Sequence, residues 1–265
     1  MVLKSAGEIE LLEEANAIVH RVLDGIAELV APGVTTRELD RFAEGLIRSR
    51  GGVPAFLNYR GYPATICASI NDVIVHGIPD DTRLAAGDIV GVDCGVLYKG
   101  YYGDAARTFS VGAVSAAAES LLAVTRESLA AAVAQAQPGR HLSDIGHAVQ
   151  RHVESRGFSV VRDFVGHGIG TSLHEDPQVP NFGAPGKGIR LRPGLVLAIE
   201  PMVNAGGSGV RVDPDGWTAR TADGSLSAHF EYSVAVTASG PRVLGTASAP
   251  FSASAAAPAL VRPAV

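Results

Sequence analysis

The chain has little cysteine: Cys67 and Cys94 are its only two in 265 residues. That is too few for the disulfide framework of a small secreted domain. Long apolar runs are missing, and no window approaches the ~18 uninterrupted apolar residues of a membrane helix. The opening stretch "MVLKSAGEIELLEEANAIVHRVLDGIAELV" has acids where the apolar centre of a signal peptide would sit. Charge is sparse at 18%, and the formal net charge of -5 gives no basic excess. Nucleic acid and anionic membranes are therefore not expected partners. What is present is 46% hydrophobic residues, enough for a sizeable core in one large domain or two small ones. A soluble, cytoplasmic, monomeric protein is the expectation.

The chain repeats itself. "PGVTTRELDRFAEGLIRSRGG" starts at Pro32 and "PGRHLSDIGHAVQRHVESRGF" at Pro138, an offset of 106. Both begin with Pro-Gly, carry an acid and an aliphatic residue in the middle (Glu38-Leu39, Asp144-Ile145), and end in Ser-Arg-Gly. Each follows an amphipathic stretch, 8–30 and 115–136, that reads as a helix ended by Pro-Gly. Downstream, "LAAGDIVGVD" (84–93) matches "LRPGLVLAIE" (191–200) at an offset of 107, which makes Asp93 and Glu200 equivalent. The pattern predicts a duplicated α+β fold, with halves of about 5–112 and 113–245 forming one domain over 1–245. Residues 246–265 are Ala/Ser/Pro-rich and aperiodic, and are expected to be a flexible tail.

The stretch "VDCGVLYKGYYGDAARTF" places two acids in apolar strands. With Lys99-Gly100 as a two-residue hairpin loop, Tyr98 faces Tyr101 and Asp104 opposes Gly95. Asp93 then lies on the same face, a diagonal neighbour roughly 7–8 Å away along the backbone, with open space expected over Gly95. Two buried carboxylates so close repel unless one holds a proton or a cation lies between them. A capped turn with solvent-facing acids is the plainer alternative for the pair alone. Further along, "FVGHGIGTSLHEDP" sets His167 between glycines, "LVLAIEPMV" ends an apolar strand at Glu200, and "AHFEYSVAVT" alternates as a strand bearing Glu231. Four carboxylates and one imidazole make a hard, oxygen-rich set that suits two divalent cations better than a structural zinc site.

In that order of ligands, and in "YPATICASINDVIVHGIPDD", "GDIVGVDCG", "GHGIGTSLHEDPQV", "GLVLAIEPM" and "SAHFEYSVAVT", the chain resembles the type I methionine aminopeptidases of the pita-bread fold. The resemblance implies two pseudo-symmetric helix-plus-strand halves around a central antiparallel sheet. It implies that Asp104 and Glu231 bridge two cations, that Asp93 holds one, and that His167 with Glu200 holds the other. Mn, Fe, Co and Zn all suit such a set. The implied reaction is removal of the N-terminal methionine of nascent chains when the second residue is small, with Glu200 as proton shuttle and His76 and His174 as donors. Phe56, Tyr59, Tyr62, Cys67, Leu173 and Trp217 match the family's side-chain pocket. Asn71, Val73 and Ser227 match a monovalent-cation site built from main-chain oxygens. His229 falls two residues before Glu231, on the ligand's face, as a neighbour of the site or a packing residue. Cys94 is expected inert in the core, and His20, His141, His147 and His152 are explained as ordinary structural histidines.

Proline-specific relatives on the same fold carry a further N-terminal domain, which the 92 residues before Asp93 cannot hold. A type II enzyme would carry an insertion between His174 and Glu231, where only 56 residues lie. A binding module that had discarded catalysis would have lost ligands and gained basic patches. No zinc-finger or proline-rich extension is visible for docking on the ribosome, so a transient encounter with it is the most the sequence suggests.

Overall fold

The computed structural model describes residues 2–246. The expected tail, from residue 247 onward, lies outside the described residues. In the first half, α1 (Ala6–Leu29) and α2 (Thr36–Ser49) precede β1 (Val53–Pro54), β2 (Ile66–Ile70), β3 (Val73–Val75), β4 (Ile89–Tyr98) and β5 (Tyr101–Ser110). In the second, α3 (Ala116–Val133) and α4 (Leu142–Glu154) precede β6 (Ser159–Val160), β7 (Gly166–Gly168), β8 (Glu175–Val179), β9 (Val196–Ile199) and β10 (Met202–Asn204). The chain continues through β11 (Val210–Val212), β12 (Ala219–Thr221), β13 (Ser227–His229), β14 (Tyr232–Thr237) and β15 (Gly240–Val243). Among the described residues, no helix is long and apolar enough to cross a membrane.

The helices start where their caps lie. Ser5 and Thr35 each accept from the backbone N–H three residues on, while Glu8 and Glu38 reach back to the cap N–H. Behind these caps, Leu12, Val19, Val22 and Ile26 form the buried stripe of α1, and Leu39, Ala43 and Ile47 that of α2. The repeat is visible in hydrogen bonds as well as letters. Gly33 N–H donates to Leu84 O, and Gly139 N–H to Leu191 O, both at 2.8 Å. The guanidinium of Arg83 caps Gly33 O, and that of Arg190 caps Gly139 O. Thr35 bridges to Arg83 just as His141 bridges to Arg190.

All strand pairings are antiparallel. Among the described residues the strands divide into four sheets: β1 and β2 on one edge of β4 with β5 on the other, a five-stranded sheet β15-β14-β9-β7-β8, and two three-stranded ones, β13-β10-β6 and β11-β12-β3. The two larger sheets meet along β5, where Glu231 N–H donates to Ala106 O at 2.9 Å and Ser233 Oγ to Asp104 O at 2.9 Å. That seam places one half's aspartates beside the other half's glutamates.

The hairpin has the expected register: Tyr98 pairs with Tyr101 and Gly95 with Asp104. Lys99 and Gly100 have φ of 49° and 83°, the two left-handed residues that a two-residue hairpin loop requires. Two expectations need correction. The space over Gly95 is filled, because a Cβ there would lie 2.5 Å from Cε1 of Phe56; the glycine admits the ring rather than leaving a void. Glu231 does not lie on a continuous strand, for the chain breaks between β13 and β14 at Phe230-Glu231. The break turns that N–H toward β5 instead of its own sheet.

Helix α1 lies flat on β5 because Gly103 has no side chain; a Cβ there would sit 2.6 Å from Asn16 N. Gly103→Val is expected to cost about 3 kcal/mol by forcing the helix off the sheet. Its urea midpoint, compared with that of the parent, measures this.

Candidate active site

One cavity of about 180 Å³ is lined by all five expected ligands, Asp93, Asp104, His167, Glu200 and Glu231. Its other walls are Phe56, Tyr59, Arg60, Tyr62, Cys67, His76, Leu173, His174 and Trp217. Ligand pockets run from roughly 300 Å³ upward, so this one suits a single side chain and the atoms next to it. The small cavity thus combines aromatic walls with a cluster of carboxylates and imidazoles.

Asp104, His167 and Glu231 are buried, and each presents a ligand atom within 4.8 Å of the others. His167 Nδ1 lies 2.9 Å from Gly168 O. Donation there leaves the Nε2 lone pair facing inward, 3.8 Å from Asp104 Oδ2 and 3.6 Å from Glu200 Oε1. Three carboxylate oxygens, Asp93 Oδ1, Asp104 Oδ1 and Glu231 Oε1, are buried with no hydrogen-bond partner. Orphaned acceptors at this density are costly unless something positive meets them. Burial pushes Asp93 up to about 7 and Glu200 up to about 8. Burial first, and then the charge of a neighbouring aspartate, drives Asp104 and Glu231 well above the carboxylate range. The residues fit divalent cations: hard oxygen donors, one unprotonated imidazole nitrogen, and unmet charge.

The model of metallopeptidase family M24 matches residues 10–238. A methionine aminopeptidase of Clostridium perfringens is 50% identical over 92% of this chain and 98% of its own length. The chain belongs to metallopeptidase family M24, among the methionine aminopeptidases. The crystal structure of the methionine aminopeptidase from Thermotoga maritima has a TM-score of 0.92 at 43% identity, covering 93% of this chain and 100% of that one. The prolidase from Pyrococcus furiosus, at 24% identity and a TM-score of 0.75, covers 94% of this chain and 66% of that one, and shares the pita-bread fold. As a metallopeptidase of this family, the protein is a hydrolase that depends on divalent metal.

Around these five side chains, the local sequence explains how the neighbouring histidines are held. His76 has φ of 61°, and Gly77 behind it packs so tightly on Ala68 O that a Cβ would overlap it. Ala68 N–H and the Tyr62 hydroxyl both donate to Gly77 O, so the left-handed His76 is pinned at the cavity. Its ring meets Phe164 and Trp217 edge-on, with centroids 5.4 and 6.3 Å apart. Burial lowers His76 to about 4, which keeps the ring neutral. His174 Nδ1 lies 2.9 Å from the Tyr59 hydroxyl, and its ring is 4.2 Å from that of His167. Partial burial lowers its pKa, and Arg60 lowers it further.

His229 is buried, with Nε2 3.6 Å from Glu200 Oε2, which places it against the site rather than in remote packing. Cys94 is fully buried in the core between α1 and the first sheet, and burial pushes its thiol well up. Asn71 and Ser227 are brought together, since Ser227 N–H donates to Asn71 O at 2.8 Å; Val73 follows on β3.

Sequence reasoning missed several members of this site. Arg60 lines the cavity from a left-handed turn, with φ of 50°, and no periodic pattern marks it. Asn16 on α1 accepts from Asp104 N–H at 3.2 Å, and Asn181 Nδ2 donates to Glu200 O at 3.0 Å. Thr108 Oγ1 donates to His229 O at 2.8 Å and accepts from its N–H at 3.0 Å. Asn16 and Asn181 thus hold the backbones of Asp104 and Glu200, and Thr108 holds that of His229.

Proposed function

We propose that this protein removes N-terminal methionine from nascent peptides whose second residue is small. The observation that carries this reading is the small cavity in which aromatic walls adjoin a cluster of carboxylates and imidazoles. An apolar side chain fits such walls, and its own amine and carbonyl then face the polar cluster. Asp104 and Glu231 would bridge two divalent cations, Asp93 would complete one site, and His167 with Glu200 the other. Bound there, such cations supply Lewis acidity and lower the pKa of water.

The chain's own groups do the rest. Glu200, whose carboxylate lines the cavity, takes a proton from the attacking water and returns it to the leaving nitrogen. With the Tyr59 hydroxyl donating to Nδ1, His174 carries its proton on Nε2 and donates to the carbonyl oxygen as charge develops. His76, neutral and pinned, donates to the amide nitrogen. Tyr62 and Trp217 stand edge-to-face with centroids 5.1 Å apart and, with Phe56, Cys67 and Leu173, grip the methionine side chain. Mn, Fe, Co or Zn would serve as the cation, and the cytoplasm, where nascent chains emerge, as the place of action.

A second residue must turn past His76 and His174, where a long side chain would collide. Met-Ala-Ser is therefore expected to be cleaved about a hundredfold faster than Met-Lys-Ser or Leu-Ala-Ser. Chelation should abolish release of methionine, and re-adding each cation singly should restore it to different degrees. Comparable rates on all three peptides would replace this reading with a broad aminopeptidase.

A further inference from the structure

Lys4 is 6% exposed, although lysine is almost never buried unless paired. Its Nζ lies 2.6 Å from Oε2 of Glu175, the residue after His174. We propose that the buried Lys4 and the half-buried Glu175 form a positioning pair that holds the loop bearing Leu173 and His174 at the cavity. The segment ahead of α1 is then a working part of the active site. This rests on the role assigned to His174 above.

The surroundings are built for the pair. Gly170 leaves the room for it, because a Cβ there would overlap Lys4 Cε, Lys4 Nζ and Glu175 Oε1. The second carboxylate oxygen, Oε1, accepts from Ser172 N–H at 3.3 Å, so Glu175 ties its own loop to the ammonium. Gly170 N–H donates to Ser172 O, and Tyr102 N–H donates to Gly170 O, which anchors the loop's other end on β5. Lys4 is itself fixed by its backbone: its N–H donates to Gly194 O at 2.7 Å, in the turn that leads into β9 and Glu200. A Cβ on Gly194 would lie 2.7 Å from Lys4 O.

An ion pair drawn this far out of water is a poor way to add stability, since apolar residues of the same volume do as well. Its advantage here is direction. Two oxygens and one ammonium define where the loop sits, and a misplacement of about 1 Å at a reacting group costs on the order of a hundredfold in rate.

The test uses the full chain loaded with cation, assayed on Met-Ala-Ser well below the melting temperature of every variant. Lys4→Met is expected to lower kcat on the order of a hundredfold, with KM changed less than about threefold. Lys4→Arg should recover most of that loss. In a His174→Ala background, Lys4→Met should cost under about threefold more, because both changes remove the same contribution. A purely structural pair would instead multiply its penalty onto that of His174→Ala, or lower the melting temperature with kcat unchanged, and either result overturns the proposal. Hydrogen exchange reads the pair without any activity: Lys4→Met should speed exchange across 168–175 while α4 stays protected. If the parent fails on Met-Ala-Ser, the functional reading falls and this exchange measurement still decides; unchanged exchange across the loop would refute the pair.

Discussion

Asp104→Ala is expected to lower kcat/KM on Met-Ala-Ser by at least about a thousandfold, the several kcal/mol that cation-held charge stabilisation contributes to such a transition state. Asp104 is 4% exposed, pairs opposite Gly95, and belongs to the tightest cluster of ligand atoms, with His167 and Glu231. Its backbone is fixed on both sides, by Asn16 at the N–H and by Ser233 at the carbonyl, which holds the carboxylate at the cavity. The loss should appear in cation binding too: calorimetry on the variant should show the two-cation isotherm gone, whereas Asp93→Ala should lose one site. Folding should survive. Removing one of several mutually repelling buried carboxylates should leave the chelated variant melting no lower than the chelated parent at pH 8. Normal turnover with two retained sites in Asp104→Ala would overturn the bridging assignment.

The second large effect is on stability against pH. In the cation-free protein, Asp93 is raised to about 7 and Glu200 to about 8, chiefly by burial, with Asp104 and Glu231 raised in the same direction. A carboxyl raised by folding binds its proton more tightly in the native state than in the unfolded chain. Its contribution is full below the unfolded value of roughly 4 and is lost as pH climbs through the folded value. The chelated protein should therefore lose on the order of ten degrees of melting temperature between pH 5.5 and pH 8.5. Divalent cation should reverse that loss at pH 8.5 and do much less at pH 5.5, where protons compete for the same oxygens. Thermal melts across this range, with and without chelator, measure it. A flat profile for the chelated protein would mean that these carboxylates are solvated and not held apart from water.

What could be read directly was local or repeated. The helix starts follow from Ser5 and Thr35, each with a glutamate three residues on. The hairpin register follows from Lys99-Gly100, because a two-residue loop and a period-two strand leave no freedom in which residues face each other. Asp93, Asp104, His167, Glu200 and Glu231 stand out because charge and imidazole are expensive in apolar strands and between glycines. The duplicated halves are legible because the same Pro-Gly turn and the same acid-ended strand recur at nearly one offset.

Other features depend on which distant segments pack together, and no short-range pattern encodes that. Phe56 fills the space over Gly95, and Glu231 leaves its strand to donate to Ala106 across the seam. Asn16 reaches Asp104 across 88 residues, and Lys4 reaches Glu175 across 171. Backbone polar groups within a few residues settle their own partners, so caps, turns and registers were determined by the sequence alone. A buried side chain takes whichever partner the docking of α1 and the two sheets brings within reach. The candidate ligands were therefore legible in the sequence, while the residues that aim them were decided only when the halves closed on each other.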